Sequence, residues 1–156
     1  MHMDKHGKFI TIEGVEGSGK TTQAALLADY LRKQGVDVVE TREPGGTQAG
    51  EQIRQILLSP LHHEVTPMTE LLLFLSARAQ LVNEVISPAL EIGKWVLCDR
   101  FFDATLAYQG HGRGIDINII RKMNDFATSG MKPDITILLD LDVETGIQRA
   151  VAAKQE

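Results

Sequence analysis

Phe9-Ile10-Thr11-Ile12-Glu13-Gly14-Val15-Glu16-Gly17-Ser18-Gly19-Lys20-Thr21 is the stretch that decides the fold. Its first four residues are apolar or β-branched and run into glycines, which reads as a buried strand. Gly14 to Thr21 then fits G-x-x-x-x-G-K-[ST] at every fixed position. Glycines at these places let the backbone wrap with its N–H groups turned inward. Lys20 sets a point charge where β- and γ-phosphates would lie, and the Thr21 hydroxyl is the expected ligand of Mg²⁺. A helix opening at the same point adds the positive end of its dipole. Gly14, Val15, Glu16, Gly17, Ser18, Gly19, Lys20 and Thr21 are thus the expected cradle for the phosphates of a nucleoside triphosphate. A GTPase switch would also carry D-x-x-G and N-K-x-D downstream of this loop, and neither string follows it.

Outward from the loop, strand and helix patterns alternate. Apolar residues at Ala24, Leu27, Ala28 and Leu31 have helical spacing over residues 21–33, with Gly35 placed to end the helix. Residues 36–41 read as a second strand, and a helix follows through Ile53, Ile56 and Leu57. Thr66-Pro67 supplies an N-cap and a first-turn proline for a helix reaching about Ile86. Ser87-Pro88 then starts a new segment or kinks the old one. Residues 95–98 read as a third strand, Gly110, Gly112 and Gly114 as a loop, residues 117–126 as a helix, 135–141 as a fourth strand, and Thr145 onward as a last helix. Near-continuously apolar strands alternating with helices predict an α/β fold, a parallel central sheet flanked by helices in three layers.

The 156 residues fit one domain. With 16 basic against 21 acidic residues, the net charge of −5 disfavours a broad nucleic-acid or membrane surface. No apolar run approaches the roughly 20 residues of a membrane helix. The polar start, Met1 to Lys8, is unlike a secretory leader, and Met1 to His6 reads as a flexible end. The single cysteine, Cys98, cannot form an internal disulfide, and its neighbours suggest a buried strand thiol. A cytoplasmic protein is expected. His62-His63 has no third ligand at metal spacing and reads as a solvated connection.

Asp99-Arg100 closes the third strand, where ligands of open α/β sheets bind. Arg offers a planar multi-donor fork suited to holding an anion. Phe74 and Arg78 stand four apart on one helical face. A ring there can stack on a base and the guanidinium can donate to a carbonyl. Spacing alone favours the plainer reading, in which Phe74 packs with Leu71 and Leu75 and Arg78 is a surface charge.

The strings Phe9-Ile10-Thr11-Ile12-Glu13-Gly14, Thr41-Arg42-Glu43-Pro44-Gly45-Gly46-Thr47, Asp99-Arg100-Phe101 and Pro133-Asp134-Ile135-Thr136 occur in the order seen in thymidylate kinases, and the chain resembles that family over almost its whole length. The resemblance implies a P-loop kinase that passes the ATP γ-phosphate to dTMP, giving dTDP, with Mg²⁺ as cofactor. It implies that Asp99 supports Mg²⁺ beside Thr21, that Arg100 grips the acceptor phosphate, and that Glu16 accepts from the sugar 3′-hydroxyl, so that Lys20, Arg100 and Glu16 form the catalytic set. Phe74, Arg78, Thr105 and Gln109 would hold the base. Tyr108 would crowd the 2′ position, although it could equally be core, and Pro44 would rigidify the acceptor loop. Arg42 and Arg54 would face the phosphates or fix that loop. Arg78 and Gln109 suit a pyrimidine carbonyl pattern, which leaves another nucleoside monophosphate or a non-catalytic nucleotide-binding module as alternatives. The family forms homodimers through packed helices; Leu71 to Leu75, Leu81-Val82 and Val85-Ile86 could supply that surface or be core. Some members carry an Arg in the phosphate loop, where this chain has Gly17 and Ser18, so a mobile lid is expected to supply the cation. The family continues beyond the start of that lid, near Arg149 and Lys154, so the chain reads as incomplete at its C-terminus.

Overall fold

A computed structural model describes residues 7–61 and 64–153. Met1 to His6, His62-His63 and Lys154 lie outside the described residues, and so do the expectations placed on them. Four strands form the sheet: β1 (Phe9–Gly14), β2 (Val38–Arg42), β3 (Trp95–Asp99) and β4 (Ile135–Leu139). Their spatial order is β2-β3-β1-β4 and every pairing is parallel. Between them run α1 (Lys20–Lys33), α2 (Gln48–Leu58), α3 (Pro67–Leu81), α4 (Ser87–Glu91), α5 (Phe102–Thr105), α6 (Ile117–Ala127) and α7 (Val143–Ala152). The α/β expectation with a parallel sheet is met.

Alternation along the strands divides the core in two. Phe9, Val96 and Cys98 face Leu81, Val82, Ile86 and Phe101. Ile10, Ile12 and Leu97 face Ala24 and Ala28 of α1. Leu71, Leu75 and Ile120 form a third cluster between α3 and α6. Cys98 is fully buried, as expected, and burial pushes its thiol well above the usual range.

Local chemistry explains the helix ends. Thr66 caps α3 by accepting from the Thr69 N–H at 3.2 Å, and Pro67 opens the first turn. Gly35 adopts φ 82° just past α1, and Gly35 N–H donates to Arg32 O while Val36 N–H donates to Leu31 O.

Two expectations are corrected and one open alternative is settled. The long helix does not run unbroken to Ile86: α3 ends at Leu81 and a π-helical turn, Val82–Ile86, leads into α4. Gly110 and Gly112 do not mark a loop, because Leu106–Gly112 continues α5 as a second π-helical stretch; among the three, Gly114 alone has the left-handed φ of 74°. Of the two readings open for the apolar stretches, Leu71, Leu75, Leu81, Val82 and Ile86 take the core one; of the apolar residues on α3, Met68 and Leu72 are the exposed ones. Among the described residues no helix is long and apolar enough to cross a membrane.

Candidate active site

The register places the site. Ile12 pairs with Asp99 across β1 and β3, so the loop after β1 and the Asp99-Arg100 corner leave adjacent strand ends on the same side of the sheet. The Thr21 hydroxyl donates to Asp99 Oδ2 at 2.7 Å, joining the two residues expected at the metal.

The phosphate loop is tightly packed from behind. Gly17 adopts φ 76°, and a Cβ there would stand 2.1 Å from the Gly146 carbonyl oxygen of α7. Gly19, at φ 89°, caps α1 in a left-handed conformation that L side chains rarely adopt. Lys20 is buried and its Nζ donates to Val15 O at 2.7 Å, which folds the ammonium back over the loop. Burial, and then the Arg100 charge, lower its pKa.

Arg100 adopts φ 72°, one of two non-glycine residues with positive φ among those described. Such strain persists only where the surroundings over-determine it. Here Arg100 N–H donates to Ile12 O at 3.0 Å, the Cys98 thiol donates to Arg100 O at 3.0 Å, and the next N–H, of Phe101, donates to Glu13 Oε1 at 2.8 Å. The guanidinium lies 5.7 Å from the Tyr108 ring centroid. Glu13 is buried, and that burial raises its carboxyl pKa to about 7. A cleft of about 560 Å³ opens here, lined by Glu13, Glu16, Arg100, Asp103 and Tyr108 among others. Tyr108 is half-exposed toward it, which rules out the core alternative.

Arg78 is 1% exposed and is not a surface charge. Its Nε donates to Glu43 Oε2 at 2.8 Å, its Nη1 to Asn124 Oδ1, and its Nη2 to Thr105 Oγ1 at 3.0 Å and to Phe101 O. Glu43 is also buried, which raises its carboxyl pKa against the opposing pull of Arg78. Phe74, one turn before Arg78, is half-buried and stands outside the Leu71–Leu75–Ile120 cluster. Gln109 is buried, with Nε2 donating to Glu70 Oε1 at 2.7 Å.

The loop of Pro44 is fixed from α2: Arg54 Nη1 donates to Pro44 O at 2.8 Å, and Glu51 accepts from both the Gly46 N–H and Arg42. Arg42 is thereby turned to Glu51, which favours its loop-fixing role over a phosphate contact. Four acceptors with clear roles here, Glu13, Glu43, Glu70 and Asn124, were not singled out from the sequence. Glu13 alone carried a signal, a carboxylate at the end of an apolar strand.

A sequence model of the family described as thymidylate kinase matches residues 12–156. The chain belongs to the thymidylate kinase family. It is 55% identical over 143 residues to a thymidylate kinase from an Exiguobacterium strain, covering 92% of this chain and 68% of that protein. It is 58% identical over 144 residues to one from Geotalea uraniireducens, with the same two shares. A crystal structure of thymidylate kinase from Ehrlichia chaffeensis superposes with a TM-score of 0.83 at 43% identity, covering 96% of this chain and 85% of that one. Within this family fold the phosphate loop and the Asp99-Arg100 corner converge on one cleft.

Proposed function

We propose that this chain moves the γ-phosphoryl group of ATP to the phosphate of dTMP, giving ADP and dTDP, and that residues 1–156 act as one kinase domain. The observation that carries the site assignment is the convergence of the phosphate loop and Arg100 on one cleft, joined by the Thr21–Asp99 hydrogen bond at 2.7 Å. The relatives named above support the choice of dTMP.

Phosphoryl transfer depends on alignment and charge neutralisation. The loop N–H groups and Lys20 hold the ATP phosphates, and Lys20 stabilises charge that develops on transfer. Arg100 grips the acceptor phosphate. Its strained backbone, held at both neighbouring peptides, aims the guanidinium without reorganisation during the reaction. Glu16 lines the same cleft and receives the sugar 3′-hydroxyl. No general base is needed, because the attacking phosphate oxygen is already anionic. Phe74 and Tyr108 bound base and sugar, while Arg78, Thr105 and Gln109 read the base edge, and Pro44 walls the acceptor side.

Thr21 and Asp99 offer only oxygen donors, side by side, which fits Mg²⁺; these two residues would hold it. Bound there, Mg²⁺ supplies charge neutralisation for the phosphates. A homodimer is the family's pattern, and exposed Met68 and Leu72 on α3 support an apolar contact there.

The test is ADP release from Mg-ATP with dTMP, dUMP, dCMP, AMP, GMP, CMP or thymidine as acceptor. Turnover with dTMP well above the others, lost in Arg100→Ala, is expected. Preference for another monophosphate would keep the phosphate chemistry and overturn the base-pocket roles. No acceptor-dependent turnover would favour a nucleotide-binding module.

A further inference from the structure

Along α3, Glu70, Phe74 and Arg78 recur at intervals of four, so the three side chains form one row on the helix. Phe74 and Arg78 belong to the proposed base site, and Glu70 reaches it through Gln109. Its Oε1 accepts from Gln109 Nε2 at 2.7 Å, and its Oε2 accepts from Arg113 Nη2 at 3.0 Å. Gln109 is 3% exposed, so its amide has no bulk water to satisfy it in another orientation. A terminal amide is two-ended: the NH₂ donates, the oxygen accepts, and half a turn exchanges them. A carboxylate only accepts, so Glu70 can face only the NH₂ end. The amide oxygen is left as the acceptor for whatever enters.

The far end of the row has the opposite polarity. Arg78 carries five N–H groups and no acceptor. Glu43, Asn124, Thr105 and Phe101 O engage its Nε, Nη1 and Nη2, and one Nη1 hydrogen is not used by these partners.

We propose that Glu70 is a positioning residue that determines base specificity: by fixing the Gln109 amide with its oxygen free, it sets the pocket to one acceptor and one donor. That pattern complements a pyrimidine with an N3–H and a 4-carbonyl and opposes cytosine, whose N3 accepts and whose 4-amino group donates. Against the fixed oxygen, cytosine N3 meets a second acceptor; against Arg78, its amino group meets a second donor. Leaving buried polar groups unpaired rejects a ligand more steeply than a misfit of size does. The inference rests on the thymidylate reading of this pocket.

The experiment is calorimetric titration of dTMP and of dCMP into the purified wild-type protein, Glu70→Gln and Glu70→Ala. Glu70→Gln keeps the size of the side chain and lets the Gln109 amide turn, since an amide can either donate to it or accept from it. In both variants the preference for dTMP over dCMP is expected to fall about tenfold or more, chiefly through tighter dCMP binding. A Glu70 that only supports the fold would weaken both nucleotides in parallel. An unchanged ratio in the variants, beside a clear wild-type preference for dTMP, overturns the role of Glu70 and leaves the thymidylate reading intact. A wild type with no preference for dTMP overturns the thymidylate reading and this inference together. Melting curves monitor folding, and should Glu70→Ala not fold, the ratio in Glu70→Gln decides.

Discussion

Arg100 and Glu13 show how one buried carboxylate can hold a functional side chain it never touches directly. Glu13 accepts the Phe101 N–H at 2.8 Å, immediately after the φ 72° residue. Its pKa stands near 7 in the folded chain against 4.5 for a free Glu, with burial as the main cause. The folded state therefore binds a proton more tightly than the unfolded state. The stabilisation is fully present below about pH 4.5 and is lost as pH rises through about 7. Urea unfolding of the wild type should lose on the order of 2–3 kcal/mol across that window from this group. Glu13→Gln keeps an acceptor for Phe101 and cannot ionise, so its stability should lack that slope. An identical slope in the variant would assign the pH dependence to other groups. Glu13→Leu strands the Phe101 N–H and should cost about 1–3 kcal/mol below pH 4.5, a difference that shrinks toward pH 7 as the wild type loses its own stabilisation. The sequence showed the phosphate loop in full because each position is constrained by backbone geometry or by charge. It did not show the turn at Arg100, since no local pattern marks a non-glycine residue whose strain is held by contacts from β1.

At the scale of elements, α3 was legible at one end and not at the other. Thr66 and Pro67 act locally, so the start of the helix could be read. The break at Val82–Ile86 has no punctuating residue within it, and a single π-helical turn leaves no distinct sequence period. The same holds for Leu106–Gly112, where glycines suggested a loop that the packing of Gly110 against Ile117 and Ile120 makes helical instead. Arg78 illustrates the matching limit for side chains: period four placed it beside Phe74 but could not say that Glu43 after β2, with α5 and α6, would enclose it. That enclosure yields an asymmetric expectation. Removing one member of a buried ion pair costs about 3–5 kcal/mol. Arg78→Met leaves Glu43, whose carboxyl is already raised by burial and can take up a proton. Glu43→Leu leaves a guanidinium that cannot deprotonate. Glu43→Leu should therefore shift the urea midpoint further than Arg78→Met, and the gap should widen as pH falls from 7 to 5. Equal shifts at both pH values would mean that Glu43 stays charged without its partner.

Across the whole molecule, four parallel strands and their helices were legible, whereas the order β2-β3-β1-β4 was not, because order is set by which faces pack and not by any one segment. That order brings the last helix back against the first loop. Gly146 of α7 sits so close that a Cβ there would stand 2.5 Å from Glu16 O and 2.9 Å from Val15 Cγ2. Propensity alone says that alanine in place of a helical glycine stabilises by about 1 kcal/mol. Overpacking against a fixed backbone costs about 1–3 kcal/mol and should win here, since a backbone carbonyl cannot swing aside as a flexible side chain can. Gly146→Ala should thus lower the melting temperature and weaken ATP binding, although Gly146 stands behind the phosphate cradle. Gly112 is the matched control: it is helical, without positive φ, and a Cβ there would meet only Ala107 O, at an ordinary 3.7 Å. Gly112→Ala should leave the melting temperature unchanged or raise it. Melting curves and ATP titrations of both variants give the answer. A Gly146→Ala protein that is more stable and binds ATP normally would show that α7 can slide off the loop, and that the C-terminal helix does not brace the phosphate site.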